Sequence, residues 1–328
     1  MDIELTDPLV WGFPCFLALM LGEMAYVHGH DPAPAPAARY AWRDWLASCT
    51  LGLGAAAITA ALHFASAAVL LYWVYDLCNP ATAAGERMNW LGYPALGWAW
   101  YTWLLCQLGD DFSYYWRHRF NHTIRFMWAA HLVHHSSTQY NFGTGFRNGW
   151  FTVVYKPFYY LWLPAIGFHP AMVLVCLGIE SIWLFQLHTT YAPSWGFLER
   201  IVNTHRQHQV HHASNLEYLD KNHGGILNIF DRLFGTWQPY DENIPIQFGL
   251  VHGPETQHPL RLVAFEYQNI WRDLRGARNW REAWQYVFGE PGWSPDGRTL
   301  TVREMRGRER AVKAGGRKRR AGIWLGGQ

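Results

Sequence analysis

The sequence predicts an all-α integral membrane protein, with about four to five transmembrane helices and a cytoplasmic helical cap carrying a histidine-ligated dimetal site. Three observations point there. Runs without Asp, Glu, Lys or Arg, such as Trp45 to Tyr75, exceed the ~20 apolar residues that a bilayer-crossing helix needs. Half of the 328 residues are apolar and 17% aromatic, with 20 Trp, which suits the aromatic belts at membrane interfaces. Three histidine clusters, His118-x-x-x-His122, His131-x-x-His134-His135 and His208-x-x-His211-His212, have spacings that put their imidazoles on one face of a helix.

The elements follow in order. Met1 to Asp7 is acidic, whereas a cleaved secretory signal opens with positive charge, so Leu9 to Val27 is expected to be a retained first span with Glu23 near one end. Asp31-Pro-Ala-Pro-Ala-Pro-Ala-Ala38 reads as a short stiff linker, because proline disfavours helix in the residue before it. Arg39 and Arg43 follow, and the positive-inside rule places that loop in the cytoplasm and the N-terminus outside. Trp45 to Tyr75 is expected to span, with tilt or a break near Gly52 and Gly54. Met88 to Gly109 is the next uncharged run. Its helix is expected to continue into the cytoplasm, so that Asp111, Tyr115, His118 and His122 share one stripe. Asp111 is then either a carboxylate that orients an imidazole from behind or an interfacial charge.

Trp150 to Phe168 and Pro170 to His188 form two further apolar runs, joined at Gly167-Phe-His-Pro170, where glycine and proline mark a tight hairpin. Two crossings return the chain to the side it left, so the third cluster meets the first two. Lys156 is expected to snorkel to the interface, and Glu180 either lines a channel or pairs with a polar partner. Beyond Asp241 the chain turns polar. Leu260, Val263, Tyr267, Ile270, Trp271 and Leu274 recur at helical spacing, which predicts an amphipathic helix packed on the cap or lying on the membrane surface. Glu290 to Gly297 reads as turns, and Arg303 to Arg320 as a solvated basic tail.

Composition narrows the function. The formal net charge is only +2, so no nucleic-acid-binding field covers the chain. The five cysteines lie far apart with no CxxC, which suggests buried hydrophobes rather than a disulfide framework. Neutral imidazole suits iron, zinc, copper or nickel. Eight convergent histidines exceed the needs of one ion, so two metal ions sharing the cluster is the economical reading.

The runs Asp111 to His122, Met127 to Ser137 and Tyr140-Asn141 resemble the fatty acid hydroxylase/sterol desaturase superfamily, as do Asn203-Thr204, the third cluster, Asp220 to Gly225 and Asp231 to Thr236. These are integral membrane di-iron oxygenases. The resemblance implies a catalytic domain over about residues 100–240, after N-terminal transmembrane helices in 1–99 and before cytoplasmic helices and a basic tail in 241–328. It implies iron as the metal, although zinc is able to occupy such sites in purified protein. It implies His118, His122, His131, His134, His135, His208, His211 and His212 as ligands, with His188 as a ninth. Asp111 and Asn141 would support the ligands. Ligation by His223 is left open, and His205 is left out.

Such enzymes insert oxygen into, or desaturate, a C–H bond of a lipid, using dioxygen and an external reductant. No haem, iron–sulfur or dinucleotide motif is present in the sequence, so a separate electron donor is expected, a redox protein or a reduced pterin. The flanks look like the alkylglycerol monooxygenase branch, whose reductant is a reduced pterin. The chain departs from that branch at Thr123, where an acidic residue is expected. A non-catalytic metal-binding membrane protein is the alternative from another class.

Overall fold

A computed structural model describes the backbone of residues 8–31 and 35–322, and their side chains except at 8–11, 13, 60, 62–67 and 314–322. The acidic opening at 1–7 and the prolines of the linker at 32 and 34 lie outside these. Thirteen α-helices are described. They are α1 (Pro8–Gly29), α2 (Trp42–Cys78), α3 (Trp100–Thr123), α4 (Arg125–His135), α5 (Phe142–Phe146), α6 (Thr152–Tyr155) and α7 (Trp162–Ala165). They continue with α8 (Pro170–Gln186), α9 (His205–His212), α10 (Ile229–Leu233), α11 (Pro259–Arg275), α12 (Trp280–Phe288) and α13 (Val302–Gly322). The only strand-like pairings among the described residues are isolated bridges, so the described part of the chain is all-α.

Among the described residues no helix is long and apolar enough to cross a membrane. The expected spans at 9–27 and 45–75 fall in α1 and α2, and part of each lies outside the described side chains. The expected span at 88–109 is corrected. Its first half turns back on itself through bridges Ala81–Arg87 and Met88–Pro94, with Gly85 and Gly92 in the left-handed region that glycine tolerates. Helix begins only at Trp100. The arm expected at 150–168 is likewise broken, into α6, a 3-10 turn over Lys156–Tyr159 and α7. Pro157 and Pro164 each lack the N–H that a continuous helix needs. The second arm forms as α8, 17 residues long. The break considered at Gly52 and Gly54 is absent, and α2 runs through it. Those glycines instead admit neighbours, because a Cβ on Gly52 would lie 2.5 Å from the Phe146 carbonyl and one on Gly54 2.7 Å from the Trp150 ring.

Two apolar clusters set the helices around the histidines. Leu71, Cys106, Tyr160, Leu163, Phe168, Met172, Val173 and Cys176 join α2, α3, α7 and α8. Leu51, Leu132, Val133, Leu262 and Val263 join α2, α4 and α11. The amphipathic helix α11 therefore packs on the histidine-bearing α4, although Leu260 and Trp271 of its expected apolar stripe are exposed. Arg125 locks that contact through Glu266 at 2.7 Å and Asp273 at 2.8 Å. The basic segment that follows the Glu290–Gly297 turns is helical over Val302–Gly322.

Candidate metal centre

Helix α3 carries Asp111, Tyr115, His118 and His122 on one buried stripe. Ile124 is extended, so the chain breaks and re-enters helix as α4, which presents His131, His134 and His135. Helix α9 presents His208, His211 and His212, and its first turn is fixed by Gln207, whose Oε1 accepts the Thr204 N–H at 2.8 Å. His188 follows directly on the C-terminus of α8.

These four segments bring together two sets of imidazoles. His118, His122, His131, His135 and His211 form one, and His134, His188, His208 and His212 form the other, with the donor atoms of each set within 4.8 Å of one another. All nine histidines singled out in the sequence fall in these sets. Each α4 and α9 motif is split between them: the residues four apart, His131 with His135 and His208 with His212, share a set because they lie one above the other on the helix, while His134 and His211, one residue round from a partner, reach the other set.

The ring nitrogens show what the sets can hold. A carbonyl oxygen only accepts, so a ring nitrogen facing one must be N–H. The Nδ1 of His118 faces the His223 carbonyl at 3.0 Å, that of His134 the Arg147 carbonyl at 2.9 Å, that of His188 the Leu184 carbonyl at 3.0 Å, and that of His211 the Lys221 carbonyl at 2.9 Å. The Nε2 atoms of these neutral rings are then bare lone pairs. Those of His134 and His188 lie 3.3 Å apart, a repulsive contact that a shared cation turns into ligation. The Nε2 atoms of His122, His211 and His212 are buried with no hydrogen-bond partner. Burial, reinforced by neighbouring imidazoles, pushes His118, His131, His135, His208, His211 and His212 well below the ordinary histidine value. Burial also pushes His134 down to about 4. These seven rings are therefore neutral near pH 7, the form that binds metal. An all-nitrogen donor set fits iron, zinc, copper or nickel and not magnesium or calcium.

Backbone carbonyls, not carboxylates, hold four of the nine imidazoles, and buried side chains anchor the main chain around the centre. Asp231 accepts the N–H groups of His223 at 2.8 Å and Gly224 at 2.7 Å, and the Thr236 hydroxyl at 2.7 Å. Asn203 Nδ2 donates to the Gly224 and Gly225 carbonyls. Asn222, in the left-handed region at φ 55°, donates to the Gln207 and Gln238 carbonyls. Asp111 accepts the Ile226 N–H at 2.7 Å and the Leu227 N–H at 3.1 Å. It thus anchors the 220–227 hook and has no direct bond to an imidazole. Gly225 lets the hook pass, since a Cβ there would lie 2.1 Å from Glu180 Oε1 and 2.6 Å from Asp111 Oδ1. Glu180 is buried beside Asp110, Lys156 and Arg117. Lys156 therefore joins a buried charge cluster rather than reaching out alone.

Around the second set, Arg147 is fully buried and paired with Asp44 at 2.8 Å. Asn141 caps α5 by accepting the Thr144 N–H at 3.2 Å and donates to the Arg39 carbonyl at 2.8 Å. The adjacent Tyr140 lies against the rings of His188 and His212 and donates to the Leu187 carbonyl at 3.0 Å. Glu23 accepts from Tyr40, from the Phe142 N–H and from Thr189, which ties α1 to the residue after His188. Neither Arg147 nor Glu23 carried a site signal in the sequence. Any residue supplies a carbonyl, and an acidic residue in an apolar run reads only as a cost until its partners are known. A cavity of about 940 Å³ opens onto the centre, lined by His122, His135, His211 and His212 together with Trp128 and Asp220.

Residues 103–236 match the family model described as fatty acid hydroxylase. The chain is 33% identical over 227 residues to the alkylglycerol monooxygenase of Homo sapiens, covering 67% of this chain and 50% of the human protein. It is 34% identical over 209 residues to that of Xenopus tropicalis, covering 63% and 46%, and 35% identical over 204 residues to that of Danio rerio, covering 60% and 43%. The chain thus spans about half the length of these relatives. No solved structure matches it.

Proposed function

We propose that this chain, whose residues 103–236 belong to the fatty acid hydroxylase family, is a lipid monooxygenase that works with a pair of iron ions held by nine histidines. The observation that carries this reading is the pair of adjacent imidazole sets, in which the Nε2 atoms of His134 and His188 face each other as bare lone pairs. When bound, the iron pair supplies activation of dioxygen and removal of hydrogen from an unactivated C–H bond, which side chains alone do not achieve. The chain's own residues hold four of the imidazoles, His134, His188, His211 and His118, in one tautomer through the carbonyls of Arg147, Leu184, Lys221 and His223. The ring of Tyr140 packs against His212 and that of Trp128 against His122, which limits how those imidazoles turn.

The lipid substrate reaches the centre from a membrane in which the apolar helices are embedded. Support comes from large apolar side chains that face outward on α1, α2 and the start of α3, among them Leu21, Leu53, Trp73, Leu77, Leu104 and Leu108. A patch of that extent marks a membrane or partner surface. Arg39 sits at the same end as the centre through Asn141, which favours the histidines on the cytoplasmic side. Electrons come from a separate donor. The similarity to alkylglycerol monooxygenases favours, as a more specific reading, an alkylglycerol substrate, with a reduced pterin as the donor.

Metal content and dioxygen uptake of the detergent-purified full chain test the reading. Two irons per chain are expected, lost when His134 and His135 are changed to alanine, with lipid-dependent dioxygen uptake by the iron-loaded form. Stoichiometric zinc that resists replacement by iron, with no dioxygen chemistry, would favour a non-catalytic metal-binding protein. Uptake with an acyl lipid, and none with alkylglycerol and reduced pterin, would remove the more specific reading alone.

A further inference from the structure

His223 stands next to the first imidazole set without belonging to it. Its side chain is fully buried, and neither ring nitrogen has a hydrogen-bond partner. A buried donor or acceptor left unpaired costs about 1–3 kcal/mol, a cost that a phenyl ring in the same space would not carry. The ring centroid lies 5.0 Å from that of His122, 5.6 Å from His211 and 5.7 Å from His118. All three belong to the first set. The residue is also held in place by its main chain, since its N–H is taken by Asp231 and its carbonyl takes the His118 Nδ1–H. The Asp220 backbone lies beside the ring without hydrogen-bond geometry. Of the three neighbouring rings, His118 and His211 set Nδ1 against a backbone carbonyl, whereas the His223 ring has both nitrogens unpaired.

From this juxtaposition we infer that His223 is a sixth imidazole donor to the first metal ion. The inference rests on the dimetal reading above. The two ions are then held unequally, by six imidazoles and by four, which makes the first the slower to leave.

The test is release of metal from the loaded full-length protein to an excess of a chromogenic chelator, for wild type and for His223→Phe, which fills the same volume without a nitrogen. Wild type is expected to release its two ions in a fast and a slow phase. The variant, with helicity unchanged, should accelerate the slow phase by about tenfold or more and leave the fast phase alone. His223→Ala should behave likewise and regain the slow phase when imidazole is added. Equal slow phases in wild type and His223→Phe, with two ions bound in each, would overturn the inference while leaving the dimetal reading intact. A wild-type protein that binds no metal would overturn both. Should the variants misfold, cobalt-loaded wild type decides: a six-coordinate first ion absorbs weakly in the visible beside a strongly absorbing four-coordinate one. Two ions of equal strong absorption would refute six-fold ligation.

Discussion

Changing Asp231 to asparagine separates the positioning of the imidazoles from the stability of the fold. Asp231 is 1% exposed and collects three donors, the N–H groups of His223 and Gly224 and the Thr236 hydroxyl. Asparagine keeps the shape but turns one acceptor oxygen into an NH2 that meets an N–H. One buried donor is then left without a partner, at about 1–3 kcal/mol, so the urea midpoint should fall by an amount equivalent to about 2 kcal/mol. The functional effect is separate. The His223 carbonyl no longer sits where it fixes the His118 Nδ1–H, and loss of such an orienting contact lowers metal affinity by about 10- to 100-fold. Chelator competition reads the affinity, and urea unfolding of the metal-free protein reads the stability. Thr236→Val removes the hydroxyl donor but leaves both backbone bonds, so it should cost about 1 kcal/mol of stability with affinity unchanged. An Asp231→Asn protein that is destabilised yet binds metal as tightly as wild type would refute the claim that this carboxylate positions His118 through the His223 carbonyl.

Three further outcomes follow from the same contacts. In the metal-free protein, His134 is neutral when folded down to about pH 4 because it is buried, whereas the unfolded chain protonates it below about pH 6.5. The unfolded state therefore binds more protons in that window, and stability is complete above about pH 6.5 and lost as pH falls toward 4, by about 3 kcal/mol from this ring alone. Urea midpoints at pH 7 and pH 5 check the sign, and an equal or higher midpoint at pH 5 would contradict it. Asp44→Ala strands the fully buried Arg147 guanidinium and should destabilise by about 3–5 kcal/mol. Thermal unfolding measures this, and a shift within error would mean that Ser48, Ser136 and Gln257 suffice. Gly149→Ala would put a Cβ 1.7 Å from the Ala130 carbonyl, which no rotamer relieves. The protein should fail to hold metal even where it remains helical, and full metal occupancy in that variant would show that α4 is free to move.

The sequence by itself determined the all-α class, the three histidine motifs and the convergence of their residues, because helical periodicity assigns i, i+3 and i+4 to one face without reference to anything else. It also placed His188 among the candidates. Local rules of this kind reach as far as one helix. They do not say how two helices meet, and that decided the rest. Which imidazoles share a set, the splitting of His134 from His135 and of His211 from His212, follows from the facing helix. The spans expected at 88–109 and 150–168 failed for a related reason. An uninterrupted apolar run is compatible with one long helix or with turns packed on a core, and Pro157, Pro164 and the bridges at 81–94 settle it toward turns. The carbonyls that fix the rings belong to residues whose side chains are irrelevant to the task, so no residue pattern reveals them. The carboxylates that anchor the segment carrying the His223 carbonyl, Asp111 and Asp231, accept its N–H groups across 115 and 8 residues of chain. Glu23 reads in one dimension as a costly charge, and it becomes a clamp only once folding delivers Tyr40, Phe142 and Thr189 to it. The physical reason is the same throughout. Hydrogen bonds and close packing depend on distances in space, and chain order fixes those distances only within a single element.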